Sequence, residues 1–293
     1  MKKLIFGLTA IVIVITGIFA FAGCEKEEKE LNQTTTLKIE KATTDVNNPY
    51  SFVGDYHNQG LDFIISHANK DALFNEETCI EEIRNNMLDF MNSINWPIPL
   101  DLDYSMITTS IMDEDFSMES LGLTPEELQQ WNSLENNIFE HLTTSELSQR
   151  LEYAHEFNDF VSNIPDENKR TILYIASAVL LSSSSYWCHE LELGIESEWF
   201  SDNNLCYAPL TKKEREDILE SDVHGGIEGG TAGAVVGASG GSVIPGAGTI
   251  TGAIGGMLVG GVGGAISSSA WAAARTEIAH LKNYIAAKVK RSK

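Results

Sequence analysis

Ten glycines set the terms on which this chain can fold. Gly225, Gly229, Gly233, Gly237 and Gly241 recur at every fourth residue, and after Pro245-Gly246 the period restarts at Gly248, Gly252, Gly256, Gly260 and Gly264. Small Ser268 and Ala272 continue the second row. Positions four apart on an α-helix lie nearly above one another, so each row makes a ridge without side chains. Pro245-Gly246 supplies a turn between the rows. Each glycine costs about 0.8–1 kcal/mol relative to alanine inside a helix, so ten of them imply a penalty near ~10 kcal/mol. Loose packing cannot offset that. The pattern predicts two helical arms pressed ridge to ridge as a hairpin over residues 223–274, in which 229–274 carries no charged side chain.

Small-xxx-small contacts of this kind pack membrane helices. The segment resembles the glycine-zipper stretches of certain two-peptide bacteriocins and the hydrophobic hairpin of pore-forming toxins. That resemblance implies an antagonistic, membrane-perturbing protein. Length argues the other way. The first arm, residues 229–244, would span about 24 Å at 1.5 Å per residue, short of a hydrocarbon core of ~30 Å. Val235, Val236, Val243 and Ile244 are nearly all its bulky apolar residues. The second arm, with Ile250, Ile254, Met257, Leu258, Val259, Val262 and Ile266, is richer. The preferred reading is a hairpin buried in a helical body, against the Ala- and Ser-rich stretch at 172–185. Membrane insertion is its rival.

The amino terminus reads as an address. Lys2 and Lys3 precede an uncharged run from Leu4 to Ala22, and Phe21-Ala22-Gly23-Cys24 closes it. A basic start, an apolar core and small residues at the end mark a secretory signal. The small-small-Cys ending resembles the lipobox of bacterial lipoproteins, with Phe21 where leucine is usual. The resemblance implies cleavage after Gly23 and a lipid on Cys24. The length of the apolar run leaves an uncleaved anchor as the alternative. Glu25-Lys26-Glu27-Glu28-Lys29-Glu30 resembles the acidic export signal of Bacteroidota-type lipoproteins, although a solvated tether carries similar charge runs. We expect a signal peptide at 1–23, a tether at 24–49, and a body held at the outer membrane or cell surface.

From residue 50 the apolar spacing is helical. Tyr50 to Ala68 makes one helix, and a second starts near Asn75 and ends before Trp96-Pro97-Ile98-Pro99. Residues 100–122 are acidic and weakly periodic, and read as an irregular crossover. Thr124-Pro125-Glu126-Glu127 is a capping box with proline at the first helical position; it opens a helix through Leu142. Thr143 and Glu146 repeat the box for a helix through Val161. After Pro165 another runs from about Asp166 to Trp187, and Thr211 with Glu214 opens a short one to about Ser221. Strand-like alternation is nowhere sustained. The fold class is all-α, an acidic helical domain at 50–222 followed by the hairpin.

Charge divides along the same lines. The chain carries −22 overall, with six Lys or Arg against one Glu in residues 275–293. Taking out that +5 tail and the two lysines of the leader leaves about −29 on residues 24–274. Such a body repels nucleic acid, which is not expected as a partner. In the tail, Ala274, Ile278, Leu281, Ile285 and Val289 form an apolar stripe on a basic helix. We expect it to dock on the acidic body rather than on a membrane.

Motifs for catalysis fail on context. Gly237-Ala238-Ser239-Gly240-Gly241 fits the nucleophile-elbow spacing but lacks the strand-turn-helix setting. Gly246-Ala247-Gly248 approaches a dinucleotide fingerprint, with no strand before it and Thr251 at the sixth position. Asp101 and Asp103 begin like a calcium loop, but Met106 replaces its glycine and Met112 its bidentate glutamate. No CxxC or HExxH pair occurs, and neither metal nor cofactor is expected. With Cys24 lipidated, Cys79, Cys188 and Cys206 allow one disulfide, for which Cys188 and Cys206 are the favoured pair. His57 beside Asn58 is the most pointed histidine; a capping or core role is expected for it over catalysis. Asn48-Pro49-Tyr50, with Val53-Gly54, His57-Asn58 and Gly60-Leu61-Asp62, resembles the opening of bacterial helical proteins that end in such a zipper, a likeness that implies no activity. The expected function is interaction or structural duty, non-enzymatic and lipid-anchored, with membrane perturbation through the hairpin as the alternative.

Overall fold

The computed structural model describes residues 48–94, 121–141, 146–193, 199, 211–241 and 248–291, with the backbone alone at 191–193, 212, 234–241, 248–252 and 291. The leader, Cys24, the tether to residue 47, the 95–120 stretch with Pro97 and Pro99, Thr143, Cys206 and Pro245-Gly246 lie outside the described residues. Those described belong to one compact unit, Glu40–Lys293. Among them are eight α-helices and no strand: α1 (Phe52–His67), α2 (Lys70–Leu73), α3 (Cys79–Ser93), α4 (Pro125–Glu140), α5 (Leu147–Ser162), α6 (Glu167–Leu193), α7 (Lys212–Gly241) and α8 (Gly248–Arg291). The fold is all-α.

Helix starts follow their caps. Thr124 Oγ1 accepts the amide of Glu127 at 3.2 Å, and the Glu127 carboxylate accepts the amide of Thr124 at 2.7 Å. Two orphan donors of the first turn are thereby satisfied. Thr124→Ala should lower stability by about 1 kcal/mol, read as a shift in the urea midpoint at constant slope. Asn69 caps the short α2, which the periodicity does not reveal, by accepting the amide of Asp71. Asn75 does not cap α3. Its side chain takes the Glu77 amide and its carbonyl takes the Cys79 amide, so it closes a turn ahead of the helix.

The last two helices are longer than their local signals suggest. Thr211 and Glu214 form their reciprocal cap, but α7 does not stop near Ser221. It runs unbroken to Gly241, across the 222/223 boundary. No proline or capping residue interrupts it, and Ile218, Leu219, Val223 and Ile227 are all buried on one side. Burial of that face outweighs the poor propensity of glycine. In the same way residues 275–291 are the final turns of α8, a 44-residue helix about 66 Å long.

The α7–α8 pair has the most extensive packing in the molecule. α6 lies across α7, α1 lies across α6 and α8, and α3 packs on α8 and α1. The α4–α5 pair joins this group through α5 on α6, with Trp131 of α4 edge-on to Phe157 of α5 at 4.5 Å. Docking of the basic tail ends early. Ala274 and Ile278 are buried, His280 Nε2 meets Glu214 Oε1 at 2.8 Å, and Lys282 reaches Glu76. Past that point Ile285 and Val289 stand 51% and 49% exposed.

Candidate functional site

The α7–α8 contact is backbone on backbone. A Cβ added to Gly229 would fall inside 3 Å of the Gly260 carbonyl, and one on Gly233 inside 3 Å of the Gly256 carbonyl. Additions at Gly260 and Gly264 would strike the carbonyls of Gly229 and Gly225 in turn. At the far end a Cβ on Gly225 would sit 2.6 Å from the Gly264 oxygen and against Ser268. Such distances leave no room for any side chain. Gly237, Gly241, Gly248 and Gly252 are helical, and their surroundings lie outside the described residues. On its other sides the pair is covered: Gly226 and Gly230 face Val179 and Ile172 of α6, and Gly263 faces Met87 and Met91 of α3.

Where the glycine row of α7 begins, a polar knot is sealed into the core. Asp222 of α7 and His57 of α1 are both fully buried, with His57 Nε2 3.7 Å from Asp222 Oδ2. The same oxygen accepts from Ser183 Oγ and, at 3.1 Å, from Trp187 Nε1, both on α6. Trp187 Nε1 also lies 3.1 Å from Ser269 Oγ of α8. Asn58 completes the group: its amide nitrogen donates to the Ser182 carbonyl at 3.2 Å. Its oxygen is therefore left for His57 Nδ1, at 2.9 Å. That bond fixes the tautomer, with the proton on Nδ1 and the Nε2 lone pair turned to Asp222. Four helices thus meet at one carboxylate.

Burial governs the charge states. It pushes the His57 imidazole down to about 4, against the bond from Asn58. It pushes the Asp222 carboxyl up to about 8, against bonds from Ser183, Ser269 and Trp187. Near neutrality the pair therefore holds one proton and no net charge. Neither His57 Nε2 nor Asp222 Oδ1 has a hydrogen-bond partner, and at 3.7 Å from Asp222 Oδ2 the ring nitrogen is beyond hydrogen-bond reach, so keeping both groups uncharged limits the cost of burying them. Serine, histidine and aspartate are the residues of a hydrolase triad, but their order here is wrong. In a triad histidine stands between the other two; here aspartate does, and Ser183, His57 and Asp222 are all buried. The arrangement joins four helices at one buried carboxylate.

The residues of the opening motif are accounted for by the same contacts. Gly54 lets α1 approach α6, since a Cβ there would lie 2.5 Å from the Ala178 oxygen, and Gly60 leaves space for Ile266 of α8. Asn48 donates to the Tyr174 carbonyl at 2.8 Å, and Asn158 accepts from Ser177 beside it at 2.9 Å. Among residues noted from sequence, His57 is a core histidine with a carboxyl neighbour, Asp222, that reasoning on α1 alone does not reveal. The signal for Asp222 was available: it is an acidic residue on the buried row of Ile218 and Gly225. Cys188 is buried on α6, while Cys206 and Cys24 lie outside the described residues. Among the described residues no group of His, Cys, Asp and Glu is placed to hold a metal ion. Compared with known proteins, the chain matches no family model, and no curated protein or solved structure matches it.

Proposed function

We propose that this chain is a lipid-anchored, extracytoplasmic helical protein with interaction or structural duty, in which the glycine hairpin is the internal spine of the body. The observation that carries the reading is the cover over α8: Met257, Leu258, Val259, Val262 and Ile266 are each at most 1% exposed. α6 and α8 each contain a stretch long and apolar enough to cross a membrane, but 89% and 83% of those windows are already buried against neighbouring helices. Insertion would require α1, α3 and α6 to leave the hairpin and would strand the Asp222 knot in hydrocarbon. The anchor rests on the Lys2 to Cys24 sequence, and the reading as a non-enzyme on the geometry of the polar knot and the failed motifs.

Two experiments test the parts separately. Cys24→Ser should abolish labelling by a fatty-acid analogue and leave uncleaved precursor; unchanged labelling would remove the anchor from the account. Purified protein added to dye-loaded vesicles should release no more dye than an inert helical protein of similar charge. Release that depends on an intact glycine row would favour the membrane-perturbing alternative.

A further inference from the structure

The two large apolar residues that stand exposed among the described residues, Ile285 and Val289, fall four apart on the tail of α8. They are therefore neighbours on one helix face. Around them the chain is purely cationic: residues 282–293 contain Lys282, Lys288, Lys290, Arg291 and Lys293 and no acidic residue. Lys282 ion-pairs with Glu76 on the body, and Lys288 lies 5.9 Å from the ring of its own Tyr284. From Ile285 to Lys290 every residue is exposed.

From these features we infer that the exposed end of α8 is a docking element for an anionic phospholipid surface, which it meets with the Ile285–Val289 face down and its lysines at the headgroups. Charge complementarity selects the occupant. The body at 24–274 is strongly acidic, so this basic end is the part of the described helices that an anionic bilayer attracts. Residues 282–291 extend about 15 Å past the last docked turn, beyond a Debye length of ~8 Å at physiological salt, so the repulsion of the body is screened there. An apolar stripe between lysines suits the interface between headgroup and acyl chain, where lysine stems lie along the surface with their charges in water. The inference does not depend on the lipid at Cys24.

Hydrogen exchange on the full chain tests it, comparing no vesicles, phosphatidylcholine vesicles and phosphatidylglycerol vesicles. So short a run of exposed turns is marginal in water, so its amides should exchange fast without vesicles. With phosphatidylglycerol, exchange over 282–291 should slow by about ten-fold or more, from roughly five-fold per surface cation. The slowing should vanish in about 1 M salt, where the Debye length is ~3 Å, and in Lys288→Glu/Lys290→Glu, while protection in α7 is unchanged. Equal exchange on both vesicle types would overturn the proposal. So would protection that grows with protein concentration alone, which would make a second copy the occupant. Flotation of the protein with vesicles of either charge reports the anchor separately, so loss of one leaves the other readable.

Discussion

Gly229→Ala should destabilise the protein by about 1–3 kcal/mol, whereas Gly230→Ala, one residue along, should stabilise it by about 0.4–1 kcal/mol. Both changes gain the same helix propensity, up to ~1 kcal/mol. What differs is the space. At Gly229 the new methyl would fall inside 3 Å of the Gly260 carbonyl and 3.0 Å from the Gly264 Cα, both backbone atoms that no rotamer change can move. At Gly230 the nearest atoms, the Met257 oxygen and Ile172 Cγ1, lie at 3.6 and 3.8 Å, ordinary contact distance. Gly233→Leu and Gly256→Leu should be worse than Gly229→Ala, because a whole side chain must enter the seam. Urea unfolding followed by circular dichroism reads all four. Loss of stability in both alanine variants would mean that the whole surface of α7 is overpacked; a gain in both would mean that the helices are not in contact.

The second large effect is on pH. Wild-type stability should fall by about 1 kcal/mol between pH 6.5 and pH 8, and Asp222→Asn should remove most of that fall. Asp222 is raised from 3.8 to about 8, so its contribution is full below 3.8 and is lost as pH rises through 8. His57 is depressed from 6.5 to about 4, so its contribution is present above 6.5 and is lost as pH falls through 4. Between about 4 and 6.5 the folded and unfolded pairs each bind one proton, and the two slopes cancel. Above 6.5 the unfolded pair has lost its proton while the folded pair keeps it. Because the unfolded imidazole titrates at 6.5 and the folded Asp222 at about 8, the two transitions overlap, and each pH unit costs about 0.8 kcal/mol over that interval. Asparagine keeps an acceptor for Ser183 and Trp187 and offers an amide hydrogen to His57 Nε2, so the variant should fold at pH 6 and gain on wild type at pH 8. Glu135, pushed up to about 7 by burial and by Glu220, adds its own slope below pH 7. The difference between wild type and variant is therefore the quantity to measure. A difference that is flat from pH 6 to pH 8 would mean that Asp222 is ionised throughout.

The glycine rows carried more information than their period. Gly225 with Gly264, Gly229 with Gly260, and Gly233 with Gly256 are each centred on the Ile244–Pro245 bond, so the antiparallel register of α7 and α8 is written in the numbering. Thr124 with Glu127 was legible because both partners of that cap lie within one helical turn. Continuity was not. Glycine lowers helix propensity whatever it packs against, so Ser221 looked like a helix end until the buried row from Ile218 to Ile227 was seen covered by α6 and α8. The partners of Asp222 were illegible for a related reason, although its own place on an apolar row was not. The knot draws on α1, α6, α7 and α8, and local sequence does not state which helices meet. Tail docking was overextended because the Ala274–Val289 stripe runs on after the body beneath it has ended at Lys282.

Hydrogen exchange across α7 and α8 in water tests most directly whether the hairpin is the spine of a body that folds without a membrane. With no vesicles present, amides over 225–233 and 256–266 should be the slowest in the chain and should exchange only with global unfolding. Fast exchange there in water, slowed only when vesicles are added, would contradict the account and make the hairpin a membrane element.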